Sequence, residues 1–231
     1  ATGRMLHAFT SSEAMSDIEP RFQAARLVLA LRQSGVTDQR VTEALERTPR
    51  DHFAPKAFAE DAWENVELPI DCGQTMTRPV TVGVMLQALD LQREHTVLEI
   101  GTGSGYVVAA MSRLARRVYS IDRFRTLVER AKAALEPLGI SSRVELRLGD
   151  GLSGWAEAAP FDRLLLMGSV AALPEDLARQ LVPGGVVVMP VERGGEGLIL
   201  RLTKQADGGF SEIIVGKARF SPLQAGVARE L

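Results

Sequence analysis

Two hydrophobic patterns alternate along this chain. Short apolar runs are typical of buried parallel strands, and apolar residues that recur every three or four positions are typical of helices that pack on a sheet. The predicted strands cover residues 97–100, 118–121, 144–148, 164–167, 186–189, 198–203 and 213–216. The predicted helices cover residues 21–33, 80–89, 107–114 and 126–135, with one between Asp38 and Pro49 and one that ends at Leu181.

This order of elements predicts an α/β fold with a doubly wound, mostly parallel sheet. Asp207-Gly208-Gly209 between the last two strands is a hairpin signal, so an antiparallel C-terminal edge is expected. Pro183-Gly184-Gly185 predicts a turn before the strand at 186. The predicted organisation is a flexible tail at 1–16, N-terminal helices with a substrate-side segment at 17–90, and an α/β domain at 91–231 that forms one compact unit with 17–90.

Residues 50–78 form a long segment without a clear period. They contain Pro55 and Pro69 but also several apolar and aromatic side chains. Long loops in compact domains are usually functional or disordered, and the apolar side chains argue against disorder. We therefore expect a packed lid or substrate platform that leads into Gly73-Gln74-Thr75-Met76-Thr77-Arg78-Pro79.

A glycine-rich turn follows the predicted strand at 97, in the sequence Val97-Leu98-Glu99-Ile100-Gly101-Thr102-Gly103-Ser104-Gly105-Tyr106. Such a turn brings backbone N–H groups and a helix N-terminus close to a ligand. A dinucleotide fingerprint requires G-x-G-x-x-G, and Tyr106 occupies its third glycine position. The Glu99 charge would face the ligand, which disfavours a pyrophosphate and favours a cation. The pattern favours S-adenosylmethionine over NAD; a structural turn and an NAD-dependent oxidoreductase are the alternatives.

Two aspartates follow the next two predicted strands. Asp122 lies 21 residues after Gly101, where nucleotide-binding α/β folds place an acid that accepts from two ribose hydroxyls. It also precedes the helix at 126–135, so a role as helix N-cap is the alternative. Asp150, between Gly149 and Gly151, could approach a ligand edge or form only a tight turn.

Composition and charge exclude several classes of protein. The 231 residues carry a net charge of −2, which gives no basic surface for nucleic acid. Three scattered histidines and the single Cys72 provide neither a metal-ligand cluster nor a disulfide framework. No apolar run approaches the roughly 18 residues of a membrane span, and no signal-peptide core is visible. We expect a soluble, cytoplasmic protein without metal, membrane or nucleic-acid partners; its oligomeric state does not follow from these patterns.

Four blocks of the sequence resemble the protein-L-isoaspartate O-methyltransferases, a family of class I S-adenosylmethionine enzymes. They are GVTDQRVTEALERTPRDHFAP, ENVELPIDCGQTMTRP, VLEIGTGSGYVVAAM and GDGLSGWAEAAPFD, within a similarity from about Leu31 to Leu223. The third block is common to many methyltransferases, whereas the second is specific to this family. The resemblance implies a seven-stranded Rossmann-like sheet with an N-terminal helical appendage. It also implies methyl transfer from S-adenosylmethionine to the α-carboxylate of L-isoaspartyl residues in damaged proteins.

The resemblance further implies roles for individual residues. Asp122 would bind the ribose, and Asp150 and Gly151 would lie against the adenine. The complete set of implied cofactor-binding residues is Glu99, Gly101, Thr102, Gly103, Gly105, Asp122, Arg123, Asp150 and Gly151. Gln74, Thr75 and Arg78 would bind the substrate. Thr77 would occupy the position usually designated as the active site, where the family typically has serine.

Three departures from the family pattern surround the implied substrate cleft. Besides Thr77, Arg78 replaces a residue that is usually uncharged, and Met167-Gly168-Ser169-Val170-Ala171-Ala172 replaces a stretch that usually begins Thr-Ala-Ala. Thr77 could alternatively cap the helix that begins near Pro79, and Arg78 could bind a substrate carboxylate or face solvent. A diverged relative that binds the cofactor as a sensor or interaction module is therefore the second hypothesis. The chemistry itself needs no catalytic triad, because a carboxylate is already a nucleophile at neutral pH.

Overall fold

A seven-stranded sheet forms the centre of the computed structural model, which describes residues 11–229. The helices are α1 (Ser11–Gln33), α2 (Gln39–Glu46), α3 (Arg50–Phe53), α4 (Pro79–Leu89), α5 (Tyr106–Ser112), α6 (Arg125–Leu135) and α7 (Glu175–Arg179). The strands are β1 (Leu68–Pro69), β2 (Thr75–Met76), β3 (Thr96–Ile100), β4 (Arg117–Asp122), β5 (Val144–Leu148), β6 (Phe161–Leu166), β7 (Leu181–Arg193), β8 (Glu196–Lys204) and β9 (Phe210–Lys217).

The strand order of the large sheet is β5-β4-β3-β6-β7-β8-β9. Strands β3 to β7 pair in parallel, and the pairs β7–β8 and β8–β9 are antiparallel. The predicted α/β class, the mostly parallel sheet and its antiparallel C-terminal edge are confirmed. Because the chain runs outward from β3 to β5 and then returns to β6, the sheet has a topological switch point between β3 and β6.

Strand β3 is apolar along most of its length because both faces of the sheet are covered. Val97 belongs to a core that includes residues of α4 and α5. Leu98 and Ile100 point to the opposite face and belong to a second core with Leu177 of α7. Continuous apolar runs are expected where a parallel strand is buried on both faces.

The predicted boundary between the last helix and the following strand is wrong. Helix α7 ends at Arg179, and the buried Leu181 already pairs with Phe161 as the first residue of β7. Regular pairing resumes only at Val186, so residues 183–185 form an irregularity within β7 rather than a turn before it. Pairing with β6 thus overrides a local Pro-Gly-Gly turn signal.

The N-terminal part of the chain contains regular secondary structure that the sequence pattern did not predict. Helix α1 begins at Ser11, within the predicted tail, and residues 1–10 lie outside the described part of the chain. Residues 50–78 contain α3 and the β1–β2 hairpin, and Phe53, Leu68 and Met76 are buried in the same core as α4. This segment is therefore packed, as expected, although it is less irregular than predicted.

The described part of the chain contains neither a membrane-spanning helix nor a cluster of metal ligands. No helix in residues 11–229 combines the length and the apolar character that crossing a membrane requires. Among the side chains of residues 22–229, no three histidines, cysteines, aspartates or glutamates come together as metal ligands would.

Candidate active site

A cavity of about 690 Å³ opens at the carboxyl ends of β3, β4 and β6. This position is the topological switch point, where open α/β sheets bind their ligands. Several parts of the chain that are distant in sequence form its walls, among them residues 74–77, the glycine turn at 101–104, residues 121–124 and residues 218–224. The volume lies within the range of small-molecule and cofactor sites.

The glycine turn depends on backbone conformations that other residues rarely adopt. Gly101, Gly103 and Gly105 have φ values of +97°, +53° and +85°. A Cβ atom on Gly105 would lie 3.2 Å from Cβ of Ala131, so glycine also permits close packing of the turn on α6. The predicted cofactor residues Gly101, Thr102 and Gly103 line the cavity, whereas Gly105 lies at the N-terminus of α5 and supports the turn from behind.

Replacing Gly105 by alanine is expected to lower the free energy of unfolding by about 3 kcal/mol, because backbone strain and the close approach to Ala131 add. Gly139 is the matched control: its φ is +64°, but no atom of the described residues lies within 4 Å of an added Cβ. Gly139→Ala should therefore cost only about 1 kcal/mol. Urea unfolding of both variants measures the difference, and equal losses would contradict the packing argument.

Glu99 lies beneath the turn and not in the cavity wall. Its carboxyl is wholly buried, and Ser120 Oγ donates to Glu99 Oε2 at 2.6 Å. The Thr102 hydroxyl is 2.6 Å from Ser120 Oγ, while Glu99 Oε1 has no hydrogen-bond partner in the part of the chain that the structure describes. Burial, with the nearby Asp122 charge, raises the pKa of Glu99 to about 8. The structure thus places this carboxyl behind the turn and outside the cavity wall, and its raised pKa favours the protonated form at pH 7; a contact between a charged Glu99 and a ligand stays a prediction.

Asp122 lines the cavity and is held by two backbone groups. Gly103 N–H donates to Oδ2 at 2.9 Å, and Phe124 N–H donates to Oδ1 at 3.0 Å. Helix α6 takes Phe124 as its N-cap residue, so the alternative that Asp122 caps this helix is wrong. Burial raises the pKa of Asp122, while the backbone N–H groups oppose that shift. Each carboxylate oxygen keeps a further acceptor position.

The Asp150 side chain forms a hydrogen bond to the C-terminal segment, which we define as residues 218–228. Its Oδ1 accepts from Leu152 N–H at 2.9 Å and its Oδ2 accepts from Gly226 N–H at 2.8 Å. Gly151, but not Asp150, lines the cavity, and a Cβ on Gly151 would lie 2.3 Å from Cγ2 of Ile100. The Asp150 carboxylate therefore holds a cavity wall in place, and its expected position against the adenine stays a prediction.

Arg123 attaches the C-terminal segment from the other side. Its Nε donates to the carbonyl of Gly226 at 3.2 Å, and its guanidinium also binds the Gln224 side chain. The Ala228 N–H in turn donates to the Arg123 carbonyl at 3.0 Å. Arg123 also lines the cavity, as predicted for a residue near the ligand, but the side-chain hydrogen bonds described for it all go to this segment.

The segment after β6 explains one departure from the family pattern. Ser169 Oγ donates to the Phe220 carbonyl at 3.1 Å, and Ser169 N–H donates to the Ser221 carbonyl at 2.9 Å. A Cβ on Gly168 would lie 2.6 Å from Cδ2 of Leu223. Gly168 and Ser169 therefore form the docking site of the C-terminal segment, a role that no local pattern indicated.

The predicted substrate residues separate into two groups. Gln74, Thr75 and Thr77 line the cavity, whereas Arg78 forms an ion pair with Glu67, Nε to Oε1 at 3.4 Å, with both side chains about half exposed. Helix α4 takes Arg78 as its N-cap residue without a side-chain hydrogen bond, so the alternative that Thr77 caps this helix is wrong. The Thr77 hydroxyl is thus available to a ligand.

The fold and the cavity together define the class. The chain has a seven-stranded α/β sheet, a glycine turn after its central strand and an acid after the neighbouring strand. This combination defines the class I methyltransferases. A model of the Protein-L-isoaspartate(D-aspartate) O-methyltransferase (PCMT) family matches residues 22–228. The chain belongs to this family.

Individual relatives agree with the family match. A Caulobacter sp. (strain K31) protein, named protein-L-isoaspartate O-methyltransferase, is 48% identical over 204 residues, which cover 88% of this chain and 93% of the relative. A solved structure of that name has a TM-score of 0.76 and 26% identity, covering 87% of this chain and 66% of the other. A Plasmodium falciparum chain solved with S-adenosyl-L-homocysteine has a TM-score of 0.76 and 19% identity, covering 86% and 97%, and shows the same fold.

Proposed function

We propose that this protein transfers a methyl group from S-adenosylmethionine to the α-carboxylate of L-isoaspartyl residues in damaged proteins. Membership of the family supports this enzyme over a sensor or interaction module and over an NAD-dependent oxidoreductase. The observation that carries the proposal is that one cavity joins the glycine turn to Gln74, Thr75 and Thr77 of the family-specific block.

The residues around the cavity fit S-adenosylmethionine. Asp122 has one acceptor position left on each oxygen, which suits two neighbouring ribose hydroxyls. Ile121, Phe124 and Leu127 provide an apolar wall for the adenine. Glu99 lies buried beneath the turn and outside the cavity wall, so we assign it to act on the ammonium group through its charge once it ionises, and not by direct contact. When bound, this cofactor supplies a methyl group that its sulfonium has already activated.

The protein's own contribution to the reaction is alignment and exclusion of water. An isoaspartyl α-carboxylate is ionised at neutral pH, so no general base is needed. We assign the Thr77 hydroxyl to orient this carboxylate, with Gln74 and Thr75 as further contacts in the same wall. Residues 218–224 of the C-terminal segment form another wall of the cavity, and we assign this wall to limit the access of water.

The experiment that tests the function measures transfer of a labelled methyl group to a peptide. An isoaspartyl peptide and the same peptide with normal aspartate are compared with purified protein. The expected result is a base-labile methyl ester on the isoaspartyl peptide alone. Equal labelling of both peptides, or none, would contradict the proposal.

Thr77→Ala is expected to lower kcat/KM for the isoaspartyl peptide about 10- to 100-fold, because a hydrogen bond to a charged group is lost. Thr77→Ser keeps the hydroxyl and should retain most of the activity. Thr81→Ala is the control, because Thr81 also lines the cavity but lies within α4. Steady-state kinetics with the cofactor at saturation measure all three, and an unimpaired Thr77→Ala variant would remove the assigned role.

Two further aspects of the proposal rest on composition. The net charge of −2 supports a protein rather than a nucleic acid as the macromolecular substrate. The cytoplasmic location remains a prediction of the sequence.

The assignment of Arg78 to substrate binding is weakened by its ion pair with Glu67, which a substrate carboxylate would have to displace.

A further inference from the structure

Arg50 is a buried cation whose described hydrogen bonds all go to backbone carbonyl groups. The side chain is 0% exposed, and among the side chains of residues 22–229 no carboxylate forms an ion pair with its guanidinium. A charge buried in this way is strongly destabilising unless other polar groups replace its hydration. The atoms that replace water here are all backbone carbonyl oxygens.

These carbonyls belong to two separate parts of the substrate-side segment. Nη1 donates to the carbonyl of Ala62 at 2.6 Å and is 3.5 Å from that of Glu64. Nη2 donates to the carbonyls of Val66 at 2.9 Å and Thr77 at 3.1 Å, and it is 3.4 Å from that of Met76. One guanidinium therefore joins the loop at 62–66 to the residues that present the Thr77 hydroxyl.

The same side chain also contacts the cofactor side of the cavity. The guanidinium carbon lies 6.0 Å from the ring centroid of Tyr106, the first residue of α5 after the glycine turn. Phe53, one turn after Arg50 in α3, packs against the same ring with centroids 5.9 Å apart. Tyr106 lines the cavity. Arg50 thus contacts both residue 77 and α5, the helix that follows the glycine turn, and can fix the distance between them.

We propose that Arg50 is a positioning residue, which sets the place of the Thr77 hydroxyl relative to the transferred methyl group through the main chain of residues 76–77. The inference rests on the proposed function, because it concerns the substrate carboxylate of that reaction. The planar guanidinium reaches carbonyls in several directions at once, whereas a lysine ammonium has only three donors around one point. Lysine would keep the charge but lose part of this arrangement.

Arg163 offers a matched control far from the cavity. It is half-buried, and burial lowers its pKa as it does for Arg50. Its guanidinium likewise donates to backbone carbonyls, those of Leu89 at 2.7 Å and Asp162 at 2.9 Å. These contacts lie near the amino-terminal ends of β3 and β6, opposite the cavity. Arg163→Lys therefore reports the loss of a similar structural contact without moving residue 77.

The test compares Arg50→Lys with Arg163→Lys by calorimetry for S-adenosylmethionine and by kinetics for the isoaspartyl peptide. We expect cofactor affinity within about twofold of the wild type for both variants, and a loss of kcat/KM of about tenfold or more for Arg50→Lys alone. We expect Arg50→Ala to lose activity as well, and added methylguanidinium should restore part of the kcat/KM of that variant. Equal losses in the two lysine variants, or full activity of Arg50→Lys, would overturn the proposal.

If the Arg50 variants do not fold, hydrogen exchange on the wild-type protein tests whether Arg50 joins the two segments. We expect the amides of residues 62–66 and 76–77 to open as one unit, because one side chain holds both. Independent exchange of the two segments would overturn the proposal. A wild-type protein that does not methylate the isoaspartyl peptide would instead contradict the proposed function, and the exchange result would still judge the role of Arg50.

Discussion

Replacing Asp122 by asparagine is expected to weaken S-adenosylmethionine binding about 100-fold. The two carboxylate oxygens accept from Gly103 N–H and Phe124 N–H and leave one acceptor position each for the ribose hydroxyls. Asparagine has a single acceptor oxygen, so its NH₂ group must face a backbone N–H that also needs an acceptor. Loss of a charge-assisted ribose contact and of one buried backbone bond together account for the size of the effect.

Asp162→Asn is the matched control for this prediction. Asp162 Oδ2 accepts from Thr96 N–H at 2.7 Å, at the start of β3 and away from the cavity. We expect that variant to lose some stability but to bind the cofactor within about twofold of the wild type. Calorimetry measures both affinities. If Asp122→Asn bound as tightly as Asp162→Asn, the ribose assignment and the lone-pair argument would both be wrong.

The sequence predicted the parts of the site that depend on short stretches of chain. Gly101 and Gly103 must adopt positive φ values, so a strand followed by spaced glycines is enough to indicate the turn. The order of strands and helices then places Asp122 beside that turn, because adjacent parallel strands end at the same edge. Thr77 was found by resemblance, and the structure places it in the same cavity as the turn.

The parts that the sequence did not predict depend on pairs of residues far apart in the chain. Ser120 supports Glu99 across two strands, and Gly168 makes room for Leu223, more than fifty residues later. Arg50 lies in a polar stretch where an arginine is normally expected to face solvent, so its burial could not be expected. Such contacts have no local period, and only the assembled fold shows them.

Replacing Glu99 by glutamine is expected to remove a pH dependence from both cofactor binding and stability. In the ligand-free protein burial raises the pKa of Glu99 to about 8, so the carboxyl holds a proton at pH 7. The cofactor ammonium favours the ionised form, and binding should therefore release this proton. Between pH 6 and 7, where the cofactor's amine keeps its charge, wild-type affinity should rise up to about tenfold per pH unit.

The stability of the ligand-free protein should change with pH in the opposite direction. The folded-state pKa of Glu99, about 8, is above its ordinary value of 4.5, so between these values the folded protein binds a proton that the unfolded chain does not. Stability therefore falls as pH rises through this window, by about 1.4 kcal/mol per unit, and levels off above pH 8. Glutamine mimics the protonated carboxyl, so Glu99→Gln should be less sensitive and more stable at pH 8.

Calorimetry in buffers of different ionisation enthalpy measures the proton released on binding. We expect a value near one for the wild type at pH 7 and near zero for Glu99→Gln, with weaker binding in the variant because no negative charge can form. Glu145→Gln is the control, since Glu145 is exposed on β5 and pairs with Arg117. Proton release unchanged by Glu99→Gln would show that the buried carboxyl does not respond to the cofactor, and the ammonium would then need another negative charge.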